Sequence, residues 1–99
     1  IETAFEAAGF SAEEAAVMEI RELAAIEIER YVQRRRMTQT AAAIHFGVSQ
    51  PRISNILAGK LDKFSLDQLL RLAFKAGKSP ALTFRTVRKS PNLSARAAA

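Results

Sequence analysis

MTQTAAAIHFGVSQPRISNILAGK, residues 37–60 of this 99-residue chain, predicts two short helices joined by a tight turn. Thr38 and Ser49 stand where a side-chain oxygen can accept a hydrogen bond from the free N–H groups of a first helical turn. Pro51 falls inside the first turn of the second helix, where its missing N–H is not needed. Gly47 ends the first helix, because glycine enters the left-handed conformation most easily. The stretch therefore holds a start signal for each helix and a stop signal between them.

The small and apolar residues of this stretch determine how the two helices pack. Ala43 lies four residues before Gly47 and is small enough for the helices to cross closely. Bulkier apolar side chains can fill the angle between them, namely Phe46, Val48, Ile53 and Ile56. Such a pair of helices is a helix-turn-helix, and its second helix fits the major groove of DNA.

The charge of the chain is unevenly distributed. The whole chain carries a formal net charge of +5, but residues 1–29 carry −7 and residues 30–99 carry +12. Arg21 is the single base of the acidic segment. A basic segment attracts a polyanion and an acidic one is repelled by it. We therefore expect the basic part to face DNA and the acidic part to point away from it.

Other classes of protein are excluded by what the sequence lacks. Without cysteine, it can form neither a disulfide scaffold nor a thiolate metal site. His45 is the single histidine and cannot assemble a metal site alone, so we interpret it as a polar residue on the outer face of a helix. There is no apolar run of about 20 residues and no signal peptide, so we expect a cytoplasmic protein that does not enter the membrane. Without a nucleophile–base pair, a phosphate-binding glycine loop or a metal cluster, we expect no enzyme activity and no cofactor.

A long helix is predicted before the motif, after an N-terminal arm at residues 1–10. Ser11 and Glu14 form a capping box that starts this helix, and nothing interrupts it until about Arg35. Glu27 either pairs with a base of another element or lies at the edge of the apolar stripe. The residues of that stripe are spaced by three or four: Ile20, Leu23, Ala24, Ile28 and Tyr31.

The rest of the long helix leaves two interpretations open. Val17, Met18 and Ile26 can form a second apolar surface that a lone monomer would leave exposed. The bases at its end either stabilise the helix through its dipole or contact phosphate, and these are Arg34, Arg35 and Arg36.

After the motif, the sequence predicts one more helix and a strand. Ser65 and Gln68 form a second capping box, and Gly77 ends that helix. Its expected buried face is Leu66, Leu69, Leu70 and Ala73. Residues 81–87 alternate in polarity and are predicted to form a strand. This segment either extends as an arm or pairs with its own copy in a two-fold dimer, through Leu82, Phe84 and Thr86. The domain then spans 11–89, with the motif at 38–58, and a flexible tail follows at 90–99.

Residues 38–60 resemble the Cro/cI-type (XRE) helix-turn-helix family. The matching positions are Thr38-Gln39, Ala43, Gly47-Val48-Ser49-Gln50, Ile53-Ser54 and Gly59-Lys60. A wider similarity, from Phe5 to Phe84, is to HigA-type antitoxins of toxin–antitoxin modules. It is carried by the long helix, by GVSQPRIS at residues 47–54 and by FSLDQL at residues 64–69.

The resemblance implies both a fold and a function. The fold is all-α, with five helices in a Cro/cI-like helix-turn-helix domain, a long N-terminal helix and here a short C-terminal β-strand. Such antitoxins are homodimers that repress their own operon on double-stranded DNA and neutralise a toxin, usually a small basic ribonuclease. Two alternatives stay open: a stand-alone or phage-type regulator without a toxin, and a protein-interaction module that does not bind DNA.

The resemblance also assigns roles to single positions. Gln39 looks like the family residue that binds phosphate and braces the recognition helix. Ser49, Gln50, Pro51 and Asn55 fall on positions that read base edges. Pro51 departs from the pattern, because it has no side-chain donor, so one expected base contact is either lost or replaced by an apolar contact with a thymine methyl. Val32 stands where many members have an Arg, which puts a buried ion pair of the family in doubt.

Side-chain chemistry supports the same assignments. Gln50 and Asn55 can bond adenine through two hydrogen bonds, and Arg52 can bond guanine in the same way. Ser54 is a weaker candidate, because a serine within a helix often bonds its own backbone. The expected phosphate contacts, which position the protein without specifying sequence, are Thr38, Gln39, Lys60 and Lys63.

Overall fold

The computed structural model describes residues 4–87, which form five helices. They are α1 (Ala4–Ala7), α2 (Ala12–Arg34), α3 (Gln39–Phe46), α4 (Gln50–Leu57) and α5 (Leu66–Lys75). α2 packs along α5 and contacts α4, while α3 crosses α4 and touches α5. The predicted helical fold with a long N-terminal helix is confirmed, and α1 is a single turn within the predicted arm. The predicted tail at 90–99 lies outside the described residues.

Each of the four longer helices begins at the residue that the sequence indicated. The caps Ser11, Thr38, Ser49 and Ser65 all have extended backbone and accept a hydrogen bond from the N–H three residues later. Ser11 and Ser65 also complete capping boxes, because the side chains of Glu14 and Gln68 accept a hydrogen bond from the cap's own N–H. These bonds satisfy N–H groups that the helix cannot pair internally.

All five helices of the described chain end with the same pair of backbone hydrogen bonds. At the end of α2, the Arg36 N–H donates to Gln33 O over 3.1 Å, and the Met37 N–H donates to Val32 O over 3.0 Å. This Schellman motif requires a left-handed residue. Four of the helices use a glycine there: Gly9, Gly47, Gly59 and Gly77. α2 uses Arg36 at φ 51°, the one non-glycine residue with positive φ within residues 4–87.

The core lies where α2, α4 and α5 meet the turn of the motif. Its most deeply buried side chains are Phe46, Ile28, Ile53 and Leu69. Ala24 and Ala25 of α2 are also buried, which lets the other helices approach the rod closely. Val32 is buried as well, and no charged residue is buried among those described, so the family's buried ion pair is absent here.

Two details of the predicted buried faces are wrong. Leu23 is 62% exposed, because the core face of α2 runs through Ala24, Ala25, Ile28 and Val32 instead. On α5 the buried residues are Leu69, Leu72 and Ala73, whereas Leu66 and Leu70 are only half-buried. The exact rotation of each helix depends on its neighbours, and residue spacing alone did not determine it.

The predicted strand at 81–87 is not formed in the single chain. These residues have no regular secondary structure and are exposed, and the described part of the chain contains no β-strand. A strand exists only when its backbone bonds to another strand, and the described residues offer this segment no strand to pair with. Separately, no helix within residues 4–87 is long and apolar enough to cross a membrane.

Candidate nucleic-acid interface

One face of α4 is free of the core. Ile53 and Ile56 are buried and fix the inner face of the helix. Pro51, Ser54, Asn55 and Ala58 follow the i, i+3, i+4, i+7 spacing of a single face on the opposite side. Pro51 is exposed and Asn55 half-buried, and the exposed Ser49 and Gln50 stand at the helix start. The predicted base-reading residues other than Arg52 are therefore together at the start and on the outer face of α4.

Arg52 points elsewhere. Its guanidinium carbon lies 4.3 Å from the centroid of the Phe64 ring, a cation–π contact with the segment that follows α4. Arg52 also lines a groove of about 470 Å³ between the motif turn and α5, together with Phe46, Leu72 and Phe74. To read a base, Arg52 would have to leave Phe64.

A side-chain contact from Thr40 joins α3 to the start of α4. The Thr40 hydroxyl donates to the side-chain oxygen of Gln50 across 3.5 Å, a long hydrogen bond that joins α3 to the start of α4. Gln39 is exposed, and its side chain has no hydrogen bond within the described residues. Thr40 was not among the predicted residues, although its place in the first turn of α3, beside Gln39, was a usable signal.

The expected phosphate-binding residues are exposed and have no ion pair. Thr38 caps α3 by accepting from the Ala41 N–H over 3.1 Å, which leaves its hydroxyl hydrogen free to donate. Lys60 and Lys63 are exposed on the connector, residues 58–65, between α4 and α5. The salt bridges of the described chain join Glu27 to Arg30 and Lys78, and Asp67 to Arg71. No acid therefore neutralises Lys60 or Lys63 there.

A reciprocal pair of hydrogen bonds fixes α3 against α5. The Lys75 ammonium donates to the carbonyl oxygen of Phe46 over 3.1 Å, and His45 Nε2 lies 3.0 Å from the carbonyl oxygen of Lys75. The His45 ring also stacks on Tyr31, with 4.8 Å between centroids. His45 is exposed as expected, but it is a structural contact and not merely a solvated side chain. Lys75 satisfies a carbonyl at the end of α3 that the helix cannot pair.

The residues predicted to form the dimer contact are solvent-exposed. Leu82 and Phe84, proposed for dimerisation, are 61% and 87% exposed, and Thr86 is also exposed. Glu27, which fell within the predicted stripe, pairs with Arg30 at 3.5 Å and with Lys78 at 3.9 Å. The described residues contain no group of His, Cys, Asp or Glu that could hold a metal ion.

The comparisons with known proteins agree with this geometry. A family described as "Helix-turn-helix domain" matches residues 7–81, which include all of α2 to α5. No curated protein and no solved structure gave a significant match. With a matched region that covers most of the chain and a capped helix pair at its centre, this protein belongs to a family of helix-turn-helix domains, whose general role is to bind DNA.

Proposed function

We propose that the protein is a sequence-specific transcriptional repressor that inserts α4 into the major groove of an operator. The observation that carries this proposal is the outer face of α4. It presents polar side chains opposite the buried Ile53 and Ile56, with unpaired lysines just beyond the helix. A helix of this kind can enter a groove without exposing the core.

The proposed contacts divide into base readers and phosphate contacts. Gln50 and Asn55 bond adenine, Ser49 bonds a base edge at the helix start, and Pro51 contacts a thymine methyl. Arg52 reads guanine only after its guanidinium leaves Phe64. The contacts to the phosphate backbone are made by Thr38, Gln39, Lys60 and Lys63.

The repressor is proposed to act as a homodimer. The exposed apolar side chains of Leu82 and Phe84 support this, because a segment of alternating polarity with an unpaired backbone can pair with a second copy as a strand. In such a dimer, residues 81–87 of the two copies would pair about a two-fold axis, with Thr86 on the same side of the strand as Leu82 and Phe84. This pairing is proposed to place the two α4 helices on one face of the dimer. Its operator would then be a pseudo-palindrome with half-sites about 34–36 Å apart.

The acidic half of α2 supports a second candidate function, that of an antitoxin. A groove of about 380 Å³ lies there, and its walls are formed by apolar residues, two acids and one base: Phe10, Val17, Met18, Glu13, Glu14 and Arg21. Val17 is 45% exposed there. Such a surface suits a small basic protein, such as a ribonuclease toxin. An antitoxin and its DNA target would both be in the cytoplasm.

Selection of operator DNA tests the main proposal. The protein is incubated with a pool of random duplexes of about 30 base pairs, long enough for two half-sites, and bound DNA is sequenced after several rounds. We expect a two-fold symmetric consensus that, placed upstream of a reporter, represses it. A pool that is not enriched although the protein binds duplex DNA would contradict sequence-specific recognition. No binding at low salt would favour a protein-interaction module.

Co-expression tests the antitoxin function separately. The gene is expressed with the reading frame beside it, with a tag on this protein only. We expect a small basic protein to co-purify and to be released by Glu13→Lys together with Val17→Asp. Co-purification that survives both substitutions would show that the partner does not bind at this groove. If no small basic protein co-purifies, a stand-alone regulator is favoured.

A further inference from the structure

Arg21 connects two parts of the molecule that are far apart in the sequence. Its Nη2 donates hydrogen bonds to the carbonyl oxygens of both Leu61 and Phe64, which belong to the connector between α4 and α5. It lies in the acidic segment, yet it has no ion pair among the described residues, and its Nε is buried without a partner. Its guanidinium is therefore positioned by the two carbonyl groups and not by a carboxylate.

The two carbonyls belong to the two ends of one turn. The Phe64 N–H donates to Leu61 O over 3.0 Å, which closes the turn, and the two side chains are only 2% and 6% exposed. Asp62 and Lys63 are the exposed central residues between these anchors. Lys60 comes immediately before the turn, and its N–H donates to Asn55 O over 2.8 Å. Arg21 thus holds the ends of the turn from inside while both lysines remain outside.

We infer that Arg21 is a positioning residue for DNA binding, which holds the connector so that Lys60 and Lys63 meet the phosphate backbone. This inference rests on the proposed function. A turn bonded through both of its carbonyls keeps its lysines in one place before DNA arrives, so less ordering is required on binding. Arg21 itself lies on the inner side of the turn and does not contact DNA.

The salt dependence of binding to a mixed-sequence duplex of about 30 base pairs tests this role. Each phosphate contact adds about 0.9 to the slope of log K against log salt concentration. We expect Arg21→Met to lower the magnitude of this slope by about 1–2, and we expect Lys60→Ala combined with Lys63→Ala to lower it by the same amount. A purely structural loss would not do this, because a smaller folded fraction weakens binding equally at every salt concentration.

Arg30→Met is the matched control. It removes one charge from the same helix, at an exposed side chain paired with Glu27 and without contact to the connector. We expect it to keep the wild-type slope. In the background of Lys60→Ala and Lys63→Ala, Arg21→Met should cause no further decrease in slope.

The outcomes separate this inference from the proposed function. A wild-type slope for Arg21→Met, or an equal decrease in the background without the two lysines, would overturn the role of Arg21 and leave the repressor proposal intact. Wild-type protein that does not bind the duplex would overturn the repressor proposal itself. If circular dichroism shows that Arg21→Met is unfolded, Arg21→Gln is measured instead and is judged by the same slopes.

Discussion

The Lys75 ammonium lies 3.1 Å from the carbonyl oxygen of Phe46, so the last turn of α5 caps the end of α3. This contact occurs at the turn of the helix-turn-helix, directly beside Gly47. A Cβ added to Gly47 would lie 3.2 Å from Lys75 Nζ. The turn is therefore shaped both by its own backbone and by a side chain from another helix.

Gly47→Ala is expected to destabilise the protein more than the equivalent change at Gly59. Both positions have a positive φ, 70° and 76°, so both alanines are strained by about 1–2 kcal/mol. Only the alanine at 47 must also displace Lys75, because the space around Gly59 is open. Urea unfolding measures both free energies. Equal losses at the two sites would show that Lys75 does not restrict the turn.

Arg36→Gly is expected to stabilise the protein by about 0.5–1 kcal/mol. Arg36 has a left-handed φ of 51° at the position where the other four helix ends have a glycine with positive φ. Relief of the Cβ clash exceeds the extra entropy that glycine gains in the unfolded chain. Arg34→Gly is the control, since Arg34 is still helical and glycine there should destabilise. A loss of stability for Arg36→Gly, measured by urea unfolding, would contradict this account.

Gln50→Ala and Asn55→Ala are each expected to weaken binding to the selected operator by about 1–3 kcal/mol. Binding to random duplex should be almost unchanged, because these side chains are proposed to contact bases and not phosphates. Fluorescence anisotropy with both duplexes measures the two affinities. Gln33→Ala, an exposed amide on α2, is the control and should alter neither. Equal losses on both duplexes would rule out base reading.

Leu82→Asp with Phe84→Asp is expected to convert a dimer into a monomer. Leu82 and Phe84 alternate with Thr83 and Arg85 in the sequence, so they would form one row of side chains if the segment paired as a strand. Two charges in that row would be buried without partners on pairing. Light scattering gives the mass, and Thr83→Asp in the opposite row is the control. An unchanged mass for the double variant would exclude this interface.

The predictable part of the molecule was the part built from neighbouring residues. Thr38, Ser49 and Gly47 act through hydrogen bonds to atoms within five residues of themselves, so the positions of these residues identified α3, α4 and the turn. The grouping of Gln50, Pro51 and Asn55 near one another followed, because helical spacing alone places them at the start and on one side of α4. Leu23 illustrates the limit of this reasoning. It fits the apolar spacing of α2, yet it is exposed, because the other helices pack against the face of α2 that carries Ala25, Ile28 and Val32.

The sequence by itself therefore determined the helices, their caps and the DNA-binding motif, since short-range chemistry specifies them. Only the tertiary structure decided which side chains are free to act. It places Arg52 over Phe64, joins Lys75 to Phe46, and brings Arg21 to the connector forty residues later in the chain. These contacts depend on how α2 and α5 pack around the motif, and no local pattern encodes that arrangement. The same packing brings Arg21, a residue of the acidic segment, against the connector that carries Lys60 and Lys63.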